Sequence, residues 1–237
     1  MLLLAMLSLL LAAAPTPTRA DKPKAKIPFA DARIRIEVNA TDGDSGLQLQ
    51  LDAEDGWRWV HVFDPNGRLI FNVAGGGSVR KTGLTELFFE SAEPSFDELP
   101  LDEFLKRFPE GEYRVVGRSI NGDTLFSKAV LTHAIPDGPV LLGPANGSVQ
   151  DPNNTVISWQ PVADPPGSQI VRYEVIVTQE EPAPPRVLDA TLVASKHSMT
   201  VPSGFLLPGG ILYQYEVLAI EAGGNQTLSE ATFVTAP

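Results

Sequence analysis

Alternation of apolar and polar residues is the feature that most constrains the fold of this chain. The segment RIRIEV places Ile34, Ile36 and Val38 on one side of an extended strand, and LQLQL does the same with leucines 47, 49 and 51. A period of two residues is that of a β-strand with one face buried and the other in solvent. The first part of the chain is therefore predicted to form β-sheets.

Two hairpin turns are predicted within this β pattern. The β-rich segments WRWVHVF and RLIFNV flank DPNG at residues 64–67, and a second pair of β-rich segments flanks Asn121-Gly122. Asn-Gly between two such segments is a strong hairpin signal, because both residue types tolerate the positive φ of a tight turn.

One helix is predicted to interrupt the strands. In SFDELPLDEFLKRFPEG, Ser95 and Glu98 have the spacing of a capping box, and Pro100 suits a first helical turn. Apolar residues follow at i, i+3, i+4 and i+7, which gives one apolar face. We expect a helix near residues 100–108 that packs on a sheet or closes one end of a sandwich.

The segment HAIPDGPVLLGPANG, residues 133–147, is rich in turn residues and separates two series of strands. The predicted fold class is all-β, with two tandem antiparallel β-sandwich domains. Residues 28–134 form the first, with the inserted α-helix, and residues 135–237 form the second. Residues 21–27, DKPKAKI, are charged and without pattern, so we expect a flexible lead-in.

The N-terminus has the pattern of a secretory signal peptide. Residues 2–14 are apolar but too few to span a bilayer, and Thr18-Arg19-Ala20 fits a small-residue cleavage site. We expect residues 1–20 to be removed, a secreted or periplasmic location, and no transmembrane segment in the mature chain. The chain has no cysteine, and exported proteins of this size without disulfides are typical of bacteria, which we favour as the source.

A net charge of −11 excludes nucleic acid as the expected partner, because a polyanion would be repelled. A protein or a glycan is the expected partner class.

The C-terminal part carries residues of a known family. Trp159 in ISWQPV, Tyr173 in RYEVIV, and Tyr213 in FLLPGGILYQYEVLAIEAGGNQTLSE match its core tryptophan, its strand C tyrosine and its tyrosine corner. Residues 139–237 thus resemble a fibronectin type III domain. In the first part, FPEGEYRVVGRSINGDTL is similar to the corner and hairpin of bacterial immunoglobulin-like modules in uncharacterised secreted proteins. These resemblances imply a fold and no activity.

No enzyme chemistry is predicted. GDSG at residues 43–46 surrounds the nucleophile in chymotrypsin-like proteases, but no histidine precedes Ser45 and the first is His61. Asp and Gly are ordinary turn residues between two strands. We predict no catalytic residue, no cofactor and no metal ligand, with one alternative: Asp42 and Asp44 have the D-x-D spacing of calcium loops.

An aromatic strip leaves a further alternative open. Trp57, Trp59, His61 and Phe63 alternate and are predicted to share one strand face. Such a strip can stack on sugars, although aromatic strand faces are more commonly sandwich core, which is the interpretation we favour.

A pair of phenylalanines is the predicted partner-binding feature. Phe88 and Phe89 are adjacent, so in an extended segment they point to opposite sides. The helix near residues 100–108 is expected to cover the outward one. If it does not, the exposed phenylalanine has an acidic rim of Glu86, Glu90, Glu93 and Asp97 and favours a basic protein partner.

The function predicted from the sequence is an exported, non-enzymatic binding or spacer protein that engages an unknown protein outside the cytoplasm. The alternatives are a carbohydrate-binding accessory protein using the aromatic strip and a calcium-dependent adhesion-type module.

Overall fold

Residues 25–237 are described by a computed structural model of the chain. The first half consists of β1 (Lys26–Ile27), β2 (Asp31–Asn39), β3 (Asp44–Phe63), β4 (Leu69–Ala74), α1 (Gly77–Thr82), β5 (Leu84–Glu90), α2 (Leu101–Arg107), β6 (Gly111–Ser119) and β7 (Thr124–Leu131). The second half consists of β8 (Leu141–Gly143), β9 (Ser148–Gln150), β10 (Val156–Trp159), β11 (Ile170–Gln179), β12 (Arg186–Val193), β13 (Ser198–Thr200), β14 (Leu212–Glu221) and β15 (Gln226–Thr235). The predicted fold class is confirmed, since two sandwiches of mainly antiparallel strands enclose separate cores.

Strand β3 belongs to both layers of the first sandwich. Its first part pairs with β2 and β5, and its last part pairs with β4 and β6. The pairing is irregular between Asp52 and Trp57, where the 20-residue strand passes from one layer to the other. Inward residues of the two layers, among them Ile36, Leu49 and Val115, meet in the core and are no more than 1% exposed.

Both predicted hairpins are present. Gly67 and Gly122 have φ values of +82° and +87°. Their N–H groups donate to the carbonyls of Asp64 and Ser119 at 2.9 and 3.0 Å. Glycine is favoured at these positions because a Cβ would be strained at positive φ.

The predicted helix is α2, and it lies inside residues 100–108. Phe104 is 2% exposed and packs into the core of the first sandwich. The predicted capping box is wrong, because no side chain caps this helix. The Ser95 carbonyl instead accepts the N–H groups of Glu98 and Leu99, at 2.9 and 2.8 Å, in a turn before the helix. A second short helix, α1, was not predicted.

The second sandwich places β11, β12, β14 and β15 opposite the three-stranded sheet of β8, β10 and β13. Trp159 is 1% exposed between the layers, and its ring centroid lies 5.3 Å from that of Tyr173. The hydroxyl of Tyr213 accepts the N–H of Leu207 at 2.8 Å. This is the tyrosine corner that the resemblance to fibronectin type III domains implies.

The two sandwiches share one sheet. β15 pairs in parallel with β2, with Gln226 opposite Glu37 and Leu228 opposite Asn39. This pairing joins both halves in a 12-stranded sheet.

At the N-terminal end of the described chain, Lys26 and Ile27 pair in parallel with β7, so the last two residues of the predicted lead-in lie in a strand. The predicted signal peptide, residues 1–20, lies outside the described residues and stays a prediction. Within residues 25–237, no helix has the length and apolar character needed to cross a membrane.

Candidate functional site

Phe88 is exposed and Phe89 is not. Phe88 is 56% exposed on β5, which pairs with β3 along one edge. Phe89 points to the core, and its ring stacks on Phe71 with centroids 4.5 Å apart and planes 19° from parallel. The expectation that the helix covers the outward phenylalanine is wrong, because α2 turns Phe104 into the core and leaves Phe88 in solvent.

Carboxylates surround Phe88 on the outer side of its layer. Glu86 and Glu90 lie two residues on either side of Phe88, and all three are exposed. Since side chains alternate along a strand, they share one face. We call these three residues, with Glu37 and Glu93, the acidic outer face.

Three of these carboxylates lie close together. Oxygen atoms of Glu37, Glu90 and Glu93 lie within 4.8 Å of one another. Gly46 leaves room for Glu93 here, because a Cβ at this position would lie 3.0 Å from Cγ of Glu93. Burial, followed by repulsion from Glu90, Asp44 and Glu37, raises the pKa of Glu93 to about 7.

The acidic character continues across the joint onto the second sandwich. Burial and the neighbouring charges of Glu230, Glu37 and Glu174 raise the pKa of Glu216 to about 7. Burial also raises the pKa of Glu37 and of Glu230. Carboxylates therefore line one side of the continuous sheet, together with Arg33, Arg35 and Arg172. The part around β5, where Glu86 and Glu90 are the outward charges, is the one that would attract a cationic partner.

Asp42 and Asp44 lie at one end of the β2–β3 hairpin, as the sequence predicts, with Asp44 opposite Asn39. Neither belongs to the group of three close carboxylates found among residues 25–237. Calcium binding by these two aspartates stays a prediction.

The aromatic strip is divided between two faces of β3. Trp57 is fully buried in the core, whereas Trp59, His61 and Phe63 are half-buried on the outer side. The prediction that all four rings share one face is wrong, because β3 and β6 slip in register between Trp57 and Trp59 and such an irregularity re-aims the side chains. Trp57 therefore cannot stack on a sugar.

The residues considered for catalysis are separated or buried. Ser45 is fully buried opposite Val38, so its hydroxyl cannot reach a substrate. The histidines each serve a local contact. The ring of His61 lies 4.6 Å from that of Trp59, Nε2 of His133 lies 2.8 Å from the Phe108 carbonyl, and His197 packs edge-on against Tyr173 at 5.7 Å.

Asn225 holds the joint between the sandwiches together with the β15–β2 pairing, a role that the sequence does not predict. Asn225 is 2% exposed, and its side chain bonds two other segments of the chain, β2 and residues 132–134. Its Oδ1 accepts the N–H of Ile36 at 2.9 Å, and its Nδ2 donates to the carbonyls of Thr132 and Ala134 at 2.9 and 3.4 Å. The glutamate Glu221, 1% exposed, accepts the N–H of Asn225 at 2.8 Å and holds the turn in place.

No family model and no curated protein matches the sequence. Among solved structures, the chain is similar to the FN1–FN3 domains of chicken CNTN1, with 13% identity and a TM-score of 0.34 over 90% of this chain and 66% of that one. It is similar to an Fn3-like protein from Clostridium thermocellum, with 24% identity and a TM-score of 0.28 over 43% of this chain and 95% of that one. A tetra-tandem repeat in the extending region of a large adhesion protein shares 14% identity and a TM-score of 0.28 over 86% of this chain and 49% of that one.

The chain spans less than two thirds of the first and about half of the third of these structures. Fibronectin type III structures are among the neighbours of this chain, as the sequence predicts for residues 139–237.

Proposed function

We propose that this chain is an exported, non-enzymatic module that binds a basic protein through the acidic outer face. The observation that carries the proposal is Phe88, a large apolar side chain that is 56% exposed and lies between Glu86 and Glu90. A buried aromatic anchor supplies most of the affinity in many interfaces, while charges around it govern the rate of association and its salt dependence.

The absence of assembled catalytic groups supports a binding function. Within residues 25–237, Ser45 is in the core and the three histidines lie apart, each in a local contact of its own. A nucleophile, a base and an orienting group within hydrogen-bond reach would be needed for covalent catalysis.

A rigid joint supports a role in spacing as well as binding. The parallel pairing of β15 with β2 and the contacts of Asn225 fix the second sandwich against the first. A partner bound at the acidic outer face would therefore be held in a defined orientation to the second sandwich.

The test replaces Phe88 with serine and compares capture of partners. Tagged wild-type protein is cross-linked in the exported fraction of its source, and the bound proteins are identified by mass spectrometry. The matched control is Leu142→Ser, since Leu142 is 60% exposed on the second sandwich. We expect a basic partner that is retained by wild type and by the control and lost by Phe88→Ser, with binding that weakens as salt is raised.

Stability measurements separate binding from folding. Phe88→Ser should change the free energy of unfolding by no more than about 0.5 kcal/mol, as is usual for an exposed site. Phe89→Ser should destabilise the protein by a few kcal/mol, roughly 2–4, because that ring is packed on the core. A Phe88→Ser variant that captures the same partners as wild type would overturn the proposal.

Export is tested by N-terminal sequencing of the exported protein. We expect the sequence to begin at Asp21, after removal of residues 1–20. A first residue of Met1 in exported material would contradict the predicted signal peptide.

A further inference from the structure

Cations and aromatic rings line the outer side of one layer of the first sandwich, the layer that contains β6 and β7. Outward positions of β6 hold Arg114, Val116 and Arg118, which lie opposite Phe63, His61 and Trp59 of β3. On the other side of β6, Val116 lies opposite Phe126 of β7 and Arg114 opposite Lys128. We call these residues, with Lys26, the basic outer face.

Two cations of this face lie over aromatic rings. Nζ of Lys26 lies 3.8 Å from the centre of the Phe126 ring, and the guanidinium of Arg114 lies 5.4 Å from that of Phe63. Glu112, paired with Lys128 at 2.9 Å, is the acidic side chain at these outward positions. Four cations and one carboxylate thus share a surface in a chain whose net charge is −11. The outward charged residues of β5 are both carboxylates, although Arg33 and Arg35 lie on the same side of the neighbouring β2.

The two faces have the same repeat. On β5 the outward order is Glu86, Phe88, Glu90, and on β6 it is Arg114, Val116, Arg118. In both strands the three positions are two residues apart, a spacing of about 6.8 Å. Laid against each other, the two strands place the two glutamate positions opposite the two arginine positions, and Phe88 falls on the row of Val116, His61 and Phe126. The guanidinium of Arg118 now donates to the Gly122 carbonyl at 2.9 Å and that of Arg114 lies over Phe63, so both would turn toward the carboxylates on binding. The order is symmetric about its centre, so either strand direction gives this match.

We propose that the basic outer face binds the acidic outer face of a second copy of this chain. The proposal rests on the proposed function, because it identifies the basic partner of the Phe88 site as this protein itself. The two faces have complementary charges, which favours this occupant. Both faces belong to one chain and are therefore present at equal concentration.

The position of the two faces determines the form of the assembly. β5 and β6 lie in different layers of one sandwich, and their outer faces point away from each other. A contact between different faces of two copies leaves one face free on each, so further copies add in the same way. The assembly is therefore open-ended and grows with concentration.

The experiment measures self-association of the purified full chain by sedimentation velocity over a concentration series. Wild type should associate at about 0.05 M salt and dissociate by about 0.5 M salt, where the charges are screened. Glu86→Lys with Glu90→Lys, or Arg114→Glu with Arg118→Glu, should weaken self-association roughly tenfold or more. Glu180→Lys with Glu181→Lys makes the same change in net charge as the Glu86 and Glu90 substitutions, at two other exposed positions, and should associate like wild type.

Mixing the two defective variants provides a decisive test. One variant then has two cationic faces and the other two anionic faces, so each alone should be monomeric, while the mixture should assemble with the two variants alternating. A chain with all four substitutions has both faces reversed and should recover self-association.

Three results would overturn the inference. They are a wild-type protein that stays monomeric at low salt, defective variants that associate as well as wild type, and a mixture that forms no complex.

A monomeric wild type whose basic outer face binds an acidic polysaccharide would assign that face to a different partner. If wild type is monomeric but Phe88→Ser still loses a captured protein, the inference is wrong and the proposed function stands. If Phe88→Ser loses nothing, the proposed function is wrong as well.

Discussion

Replacement of Asn225 by alanine should uncouple the two sandwiches. Asn225 lies in the turn between β14 and β15. Its side chain forms hydrogen bonds both with β2 and with the connecting segment after β7. Alanine keeps the backbone of the turn and removes all of the amide contacts. The substitution therefore tests whether the joint is rigid because of hydrogen bonds at this one position.

The expected cost follows from the groups left without partners. Ile36 is fully buried, so its N–H cannot turn to water, and an unsatisfied buried donor costs about 1–3 kcal/mol. The carbonyls of Thr132 and Ala134 are half-buried and can be hydrated, so the loss of their bonds adds about 1 kcal/mol. The free energy of unfolding should fall by about 2–4 kcal/mol.

Urea unfolding followed by tryptophan fluorescence and by circular dichroism is the assay. Trp57 and Trp59 report on the first sandwich and Trp159 on the second. Adding Trp159→Phe to wild type and to Asn225→Ala isolates the tryptophan signal of the first sandwich. We expect coincident transitions in wild type and separated transitions in Asn225→Ala.

The matched control is Asn146→Ala. Its Oδ1 also accepts two hydrogen bonds, from the N–H and hydroxyl of Thr232 at 3.0 and 3.1 Å, but in an exposed loop. Asn146→Ala should lower the free energy of unfolding by no more than about 1 kcal/mol. An Asn225→Ala variant with the stability of this control and a single transition would show that these hydrogen bonds do not couple the two sandwiches.

Two further predictions concern the core and the acidic residues. Trp159→Ala should lower the free energy of unfolding by about 3–5 kcal/mol in urea denaturation, because the ring is buried between both layers of the second sandwich; a midpoint equal to that of wild type would contradict this. The pKa values of Glu93 and Glu216 are raised to about 7 in the folded state by burial and neighbouring carboxylates, so the folded state binds protons that the unfolded state releases at lower pH. Stability should therefore fall as pH rises from about 4.5 to about 7, and Glu93→Gln with Glu216→Gln should lose less thermal stability between pH 5 and pH 8 than wild type does.

Local patterns in the sequence were sufficient for the elements of the fold. Two-residue alternation located β2 and the start of β3, and Asn-Gly located both hairpins, because these signals depend on the residues within the element. The apolar face of α2 followed from helical spacing, yet its capping box was wrong. Backbone geometry decides whether Ser95 offers its hydroxyl or its carbonyl.

The features that position the candidate site depend on contacts between distant residues. A register slip between β3 and β6 separates Trp57 from Trp59, and nothing in the alternation of WRWVHVF marks it. Exposure of Phe88 depends on where α2 packs, which the order of apolar residues does not determine. The role of Asn225 depends on Ile36, 189 residues earlier in the chain.

The parallel pairing of β15 with β2 also has a consequence for how the chain acquires its structure. During synthesis the first sandwich can form as soon as β7 emerges, but one edge of β2 then stays unpaired until residues 226–228 have been made. An open strand edge with free N–H and carbonyl groups is a template for pairing with other chains. Contacts between residues so far apart form late, because a long loop must be closed first. In the interval between these two events the edge of β2 is therefore open to pairing with other chains, and a chaperone that shields this edge would act in that interval.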